Sequence, residues 1–312
     1  MGRVVLATTR LGVFDCLVKG QKSAAEVASE TDCDPQAMET LLNGLNGFGL
    51  IKRRRGYYSL TRSTAKWLTK SSPTTMVDAV RFIGEVALEF EKLEDVVRTG
   101  KAAPFHDPEK PPSFWQSYLK GLATFARYGA KEIVRKVKFD RPPLRMLDVG
   151  GGHGVYTMNF LKKYPGLTGD IIDLPEAVPV GKKIVSGEGF TDRVRFIEGD
   201  MRNVDWADGY DLILFFNIIH TVEIDEAEAL VKKARHALKP GGRLVILDSE
   251  HVGDDGDLSL TSGFNELLFF VINGTRVYPE SKIRTWLKES GFNHISKKRL
   301  LSMPVAMLMV AS

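Results

Sequence analysis

A short apolar run that ends in an acid and spills into glycines, Met146-Leu-Asp-Val-Gly-Gly-Gly-His-Gly154, constrains the fold of this chain more than any other stretch. A strand that runs straight into a glycine cluster and then a helix is the entry loop of a doubly wound α/β sheet, where backbone must come close to a ligand. From that point strand and helix signals alternate to the C-terminus. "LRMLDVG", "GDIIDL", "RVRFIEGD", "YDLILFFNII" and "RLVILDS" read as strands. Helices are expected from Val155, from Pro175, over "DEAEALVKKARHAL" up to Lys239-Pro-Gly-Gly242, and over "PESKIRTWLKESGF"; "NHISKKRLL" and "PVAMLMVA" close the chain as strands. The pattern predicts an open, mostly parallel, Rossmann-like sheet.

The ligand of the glycine loop follows by elimination. A nucleoside-triphosphate loop needs Lys-Ser or Lys-Thr after its last glycine, and here Gly154 is followed by Val155-Tyr156. A dinucleotide loop needs G-x-G-x-x-G, whereas Gly150, Gly152 and Gly154 give G-x-G-x-G. Asp148, two residues before Gly150, would repel a pyrophosphate but would welcome a ligand with an ammonium and a sulfonium, which describes S-adenosylmethionine. Asp173 ends the second strand, where an acid can accept both ribose hydroxyls, and Asp200 ends the third, where it can accept from the adenine amino group with Met201 against the ring. Leu174, beside Asp173, and Asn217, in "NIIH", are taken as further cofactor contacts, and His153 lies within the glycine loop itself.

Residues 1 to about 140 have a different, helical character. Ser23-Ala-Ala-Glu26 is a capping box, and Asp34-Pro35 is an N-cap with proline at the first helical position. Met38, Leu41, Leu42 and Leu45 keep helical spacing, and "LIKRRRGYYSLT" reads as a hairpin around Arg55-Gly56, completing a winged-helix arrangement. Lys52-Arg53-Arg54-Arg55 would suit phosphates, but residues 35–49, in the recognition position, contain no Lys or Arg and carry Glu39. That footprint argues against DNA. Two longer helices are expected near 75–99 and 112–137, separated by the loop "GKAAPFHDPEKPP". Phe114, Trp115, Tyr118, Leu122 and Phe125 on the second are core or dimer-seam residues on one reading, and the wall of a pocket for a flat substrate on another. The expected domains are therefore 1–72, a helical linker and pocket region 73–140, and a cofactor domain 141–312.

Bulk properties exclude several classes. The net charge of +4 is too small to imply a nucleic-acid partner. Two cysteines, Cys16 and Cys33, rule out a disulfide scaffold and suggest a reducing compartment. No signal-peptide pattern is present, and runs such as Leu267–Ile272 are too short to span a bilayer, so a cytoplasmic location is expected. No metal is expected, because the acidic loop Asp254-Asp-Gly-Asp257 lacks the remaining ligands of a calcium loop.

In order and spacing, "LDVGGGHG", "IDLPEAV", "EGDM", "NIIH" and "ALKPGGRLVILD" resemble the class I small-molecule O-methyltransferases, among them plant phenolic and hydroxyindole enzymes and bacterial natural-product enzymes. "LATTRLGVFDCL" and "GLIKRRRGYYSLT" are similar to the same family's N-terminal domain, so the resemblance spans nearly the whole chain. It implies a winged-helix domain used for homodimerisation and a small-molecule methyl acceptor. It also implies that His220 is the general base and Asp248 the carboxylate that orients it. Three departures stand out. Thr221-Val222 follows the histidine where the family has Asp-Trp, and the position of a second family carboxylate falls near Val277, with Glu223, Glu250 and Glu266 as candidate substitutes. The chain also begins with the family's first helix already under way, so a segment that often helps close the partner subunit's pocket is expected to be short or absent.

The chemistry implied is in-line displacement at a sulfonium carbon, in which positioning carries much of the rate. A phenol with pKa about 10 is only about one part in a thousand ionised at pH 7, so supplying the anion is worth about 4 kcal/mol. Histidine suits that proton transfer. The motifs do not name the acceptor. N- or C-methylation on the same fold and a methyl-donor-sensing DNA-binding regulator remain the alternatives.

Overall fold

The computed structural model describes residues 1–102, 105–251 and 258–312. The acidic loop Asp254–Asp257 lies outside them. The chain forms two compact units, Met1–Leu88 and Glu89–Ser312.

The first unit opens with Gly2–Leu11 (α1) and Val13–Cys16 (α2), followed by Ala24–Glu30 (α3) and Pro35–Gly47 (α4). Its caps are those expected from sequence. The Ser23 hydroxyl accepts from Glu26 N while Glu26 accepts from Ser23 N, and the Asp34 carboxylate accepts from Ala37 N. Strands Ile51–Arg54 (β1) and Tyr57–Leu60 (β2) pair antiparallel around Arg55 and Gly56, whose φ angles of 50° and 83° make the two-residue turn that matches strand twist. Val13, Phe14, Val27, Met38, Leu42, Leu45, Ile51 and Tyr58 form one buried core, so α4 spends its apolar stripe on packing. The basic wing is partly neutralised, with Arg53 3.6 Å from Glu39 and its guanidinium over the Tyr58 ring. Arg62–Trp67 (α5) and Val77–Glu89 (α6) complete this part of the chain. Both cysteines are free thiols.

In the second unit, a 3₁₀ turn at Phe90–Lys92 separates α6 from Leu93–Thr99 (α7), so the single helix expected over 75–99 is in fact broken. Pro112–Lys136 (α8) is one continuous helix of 25 residues. The remaining elements alternate: Arg145–Val149 (β3), Val155–Lys163 (α9), Thr168–Asp173 (β4), Val178–Gly187 (α10), Val194–Glu198 (β5), Tyr210–Phe216 (β6), Ile224–Ala237 (α11) and Leu238–Ser249 (β7). Leu260–Asn273 (α12), Glu280–Glu289 (α13), Ile295–Lys298 (β8) and Ala306–Ala311 (β9) follow.

Seven of the strands form one sheet in the order β5-β4-β3-β6-β7-β9-β8, parallel except for β9. Helices cover both faces, so the central strands read as continuous apolar runs. Alternate residues feed two cores. Leu147, Ile213 and Ile246 join Trp286 and Leu230 on one side; Met146, Leu212 and Val245 join Phe160 and Ile133 on the other. Lys239-Pro-Gly-Gly242, expected to separate helix from strand, is instead taken up within β7. There the pairing with β6 jumps from Tyr210↔Leu238 to Leu212↔Arg243, and Gly241 takes a φ of 78°.

Strand order reverses between β3 and β6, and the carboxyl edge there is where ligands bind in such sheets. The glycine loop at this edge is held from behind by α10. A Cβ on Gly181 would sit 2.2 Å from the Gly152 carbonyl oxygen and 2.8 Å from the Phe196 ring. Backbone cannot swing aside as a side chain can. Gly181→Ala is expected to cost about 1–3 kcal/mol of stability, the scale of overpacking, and to loosen the glycine loop. Denaturant melts of the purified variant check this, and an unchanged midpoint would show that α10 can shift freely.

Candidate active site

Strand ends place the sequence-predicted acids. Asp148, the penultimate residue of β3, is 1% exposed. Its Oδ2 accepts from the Thr157 hydroxyl at 2.6 Å, while Oδ1 is buried without a partner. Burial pushes its pKa up to about 7; the Thr157 hydrogen bond partly offsets this and the Asp173 charge adds to it. Asp173 ends β4, deeply enclosed yet with some accessible surface. Its carboxylate accepts from Gly152 N at 2.7 Å and Leu174 N at 2.8 Å, which moderate the rise that burial gives its pKa, to about 6. A Cβ on Gly152 would lie 2.9 Å from Asp173 Oδ2, so only glycine lets the loop amide reach that carboxylate. Gly150 and Gly154, at φ of 64° and 66°, turn the loop into α9.

Other predicted cofactor residues fall into less direct positions. His153 is buried, and its Nδ1 accepts from Val155 N at 3.0 Å, capping the start of α9. Burial, with the charge of Arg127, pushes its pKa down to about 4, so the ring is neutral. The Asp200 carboxylate accepts from the backbone N, Nε and Nη2 of Arg202, which occupies both of its oxygens. Met201 is half-buried against the core, and Leu174 packs near Trp115 and Leu119. Asn217 follows β6, exposed and with a left-handed φ of 57°.

His220 sits in the 3₁₀ turn Ile219–Thr221 beyond β6, and Asp248 near the end of the neighbouring β7. His220 Nδ1 lies 2.6 Å from Asp248 Oδ1, with both side chains buried. A carboxylate only accepts, so Nδ1 is the donor and the basic lone pair of the neutral ring is on Nε2. Ser249 N also donates to Asp248 Oδ1, and Asp248 Oδ2 is buried without a partner. Phe269 of α12 stacks on the imidazole, centroids 3.6 Å apart and planes 7° from parallel. The turn is gripped through its backbone as well: the Thr275 hydroxyl donates to His220 O and the Tyr278 hydroxyl to Val222 O. Of the three candidate substitutes for the second carboxylate, Glu266 comes to the Val277 loop, accepting from Val277 N at 2.7 Å. Glu250 accepts from Lys297, and Glu223 caps α11.

Sequence reasoning missed a second histidine. His106 gave no strand-end signal, and its place just before the aromatic helix was the one available clue. Its Nε2 is 2.9 Å from the Tyr118 hydroxyl, within a ring cluster of Phe105, Phe114, Trp115 and Tyr118. Among the described residues no group of three or more His, Cys, Asp or Glu could hold a metal ion, and no helix is long and apolar enough to cross a membrane.

The doubly wound sheet with its strand-end acids defines a methyltransferase fold. Residues 84–293 match the O-methyltransferase domain and residues 1–71 the O-methyltransferase dimerisation domain; the chain belongs to this O-methyltransferase family, which takes its methyl group from S-adenosyl-L-methionine. The 3-hydroxy-5-methyl-1-naphthoate 3-O-methyltransferase of Streptomyces sahachiroi is 24% identical over 310 residues, covering 96% of this chain and 88% of that protein. The bacteriochlorophyllide d C-20 methyltransferase of Chlorobaculum tepidum is 28% identical over 251 residues, covering 78% and 73%. Human N-acetylserotonin methyltransferase, solved in complex with its methyl donor, superposes with a TM-score of 0.87 at 23% identity, covering 99% of this chain and 93% of that one.

Buried acids make a pH signature. An acid whose pKa is raised on folding holds its proton more tightly folded than unfolded, so stability declines as pH climbs from the ordinary carboxylate range through the folded values. With Asp148 and Asp173 at about 7 and 6, the donor-free protein is expected to lose stability between about pH 4 and 7 from these groups. A cationic donor favours the ionised pair, so its affinity should rise over the upper part of that interval. Melting temperatures across pH, with and without S-adenosylmethionine, check both signs; Asp148→Asn should flatten the donor-free slope, and equal slopes in wild type and variant would refute the assignment.

Proposed function

We propose that the protein methylates a hydroxyl of a small aromatic acceptor, with His220 as general base oriented by Asp248. The observation that carries this reading is the buried 2.6 Å His220–Asp248 contact at the carboxyl edge of the sheet, beside the strands that end in Asp148 and Asp173. When bound, S-adenosyl-L-methionine supplies an electrophilic methyl group on a sulfonium. The residues present fit it. Asp148 Oδ1 is a buried acceptor without a partner, and an anionic edge suits a cation. Asp173 keeps lone pairs for two ribose hydroxyls. Gly150, Gly152 and Gly154 leave the loop bare of side chains, and Leu174 and Met201 offer apolar contact. Asp200 reaches the adenine amino group only by loosening its hold on Arg202.

Four features of the chain serve the chemical step. Asp248 fixes the Nδ1–H tautomer and so presents Nε2 as the acceptor of the hydroxyl proton. Phe269 holds the ring plane, and the bonds from Thr275 and Tyr278 fix the turn beneath it. As the proton leaves for Nε2, the imidazolium is stabilised by the Asp248 carboxylate. We further read the protein as a cytoplasmic homodimer joined through its first 71 residues and without a nucleic-acid partner; the apolar use of α4 and the Arg53–Glu39 pair support the last point.

A second reading, N- or C-methylation, is favoured by the departure at Val277, which stands where the family pattern has a carboxylate and whose N–H donates to Glu266. An electron-rich carbon needs no hydroxyl deprotonated first. His220→Ala separates the two. For a hydroxyl acceptor it should lose about 10²–10⁴ in turnover while still binding the donor, with the loss shrinking as pH approaches the acceptor's own pKa; Asp248→Asn should lose less. A pH–rate profile on an acceptor found by screening checks this. Activity of His220→Ala within a few-fold of wild type at pH 7 would end the general-base assignment.

A further inference from the structure

We propose that His106, held by Tyr118, is a second polar contact of the acceptor pocket, so that the acceptor carries a hydrogen-bonding substituent besides the hydroxyl that is methylated. This rests on the aromatic-acceptor reading above and deepens it. Both histidines are tied to one helix. Phe269 of α12 stacks on His220, and one turn later the Ile272 carbonyl accepts from Phe105 N at 3.2 Å, which docks the loop carrying His106. Phe105 is itself buried, 2% exposed, so this anchorage is firm. On its other side His106 meets α8, through the Tyr118 hydroxyl at 2.9 Å, an edge-on contact with the Tyr118 ring and a tilted one with Trp115. The residue after Tyr118, Leu119, lies against Gly152 of the donor loop, within 2.7 Å of where a Cβ there would sit. The dyad therefore stands between the donor loop and the helix that backs the base, where an acceptor has to be held.

Two observations favour a ligand at this corner. His106 and Tyr118 are half-buried polar groups set among the rings of Phe105, Phe114 and Trp115. Polar capacity is also left over. His106 Nδ1 makes no hydrogen bond among the described residues, and Trp115 Nε1 is buried without a partner. Leaving a buried donor such as Trp115 Nε1 unmade is costly, so such groups are normally used. Burial, with the charges of His220 and Lys110, pushes His106 down to about 4. The ring is thus neutral at pH 7 and offers a donor or acceptor rather than a charge. It suits a hydroxyl or carbonyl and gives no cation to a carboxylate.

The test uses binding to the full-length protein saturated with S-adenosylhomocysteine. The probes are 2-naphthol and the 2,3-, 2,6- and 2,7-dihydroxynaphthalenes, which place the second hydroxyl near or far. At least one diol should bind wild type about three- to tenfold more tightly than 2-naphthol, the range for one neutral hydrogen bond. His106→Leu should bring that ratio to within about twofold, and His106→Gln, which keeps a donor and an acceptor, should restore part of it. Tyr118→Phe should weaken the same diol without removing a ring, and serves if His106→Leu does not fold. Ratios unchanged in all three variants, or no diol preferred by wild type, would overturn the inference while leaving the aromatic pocket intact. If no naphthol binds at millimolar concentration while S-adenosylhomocysteine does, the aromatic-acceptor reading falls and this inference with it.

Discussion

Burying charge at the end of a strand is the constraint around which this molecule is arranged. Asp148 and Asp173 stand on adjacent strands, and burial together with the charge of Asp173 raises the cost of ionising Asp148. A core built only for stability would put apolar residues there, since an unpaired buried carboxylate is costly. The chain compensates with Thr157, Gly152 N and Leu174 N, and it needs glycine at 152 to bring the amide that close. What remains uncompensated is Asp148 Oδ1, buried without a partner and, on the proposed reading, left for the cationic donor. The glycine loop, the α9 start capped by His153 and the α10 face that must be glycine at 181 all follow from holding these two acids in place.

The acceptor side is organised differently. On the proposed reading its base, His220, is held by a carboxylate on the next strand, while its walls would come from helices: α12 through Phe269 and α8 through Trp115, Tyr118 and Leu119. The donor side is thus written into strand ends and the acceptor side into helix faces and the loop that joins them.

That difference explains what could be read in the sequence. Strand ends announce themselves, because an apolar run must stop and an acid or glycine at the stop is conspicuous; Asp148 and Asp173 are legible this way, whereas His220 and Asp248 come only from the family resemblance, and the structure brings all four to one edge. The caps at Ser23 and Asp34 and the turn at Arg55-Gly56 were legible for the same local reason. Helix-borne contacts were not. Trp115 and Tyr118 look like any buried stripe, and His106 has no local pattern at all, since its meaning comes from a helix beginning more than 150 residues away. The break of the expected 75–99 helix at Phe90–Lys92 and the absorption of Lys239–Gly242 into β7 likewise depend on tertiary contacts that outweigh local propensity. At Asp200 the sequence saw the acid but not that Arg202, two residues on, would occupy it.

The hydrogen bond from Phe105 N to Ile272 O joins two segments that a crossover of the whole sheet separates in sequence. It makes α12 and the loop before α8 a single unit of inheritance as far as the pocket is concerned. A lineage, or an engineer, could exchange that pair together and keep every strand end untouched. Exchanging either alone would leave Phe269 backing a histidine whose companion wall no longer fits. With the acceptor held as proposed, a change of acceptor in this chain is expected to need paired changes in these two segments and none at the strand ends.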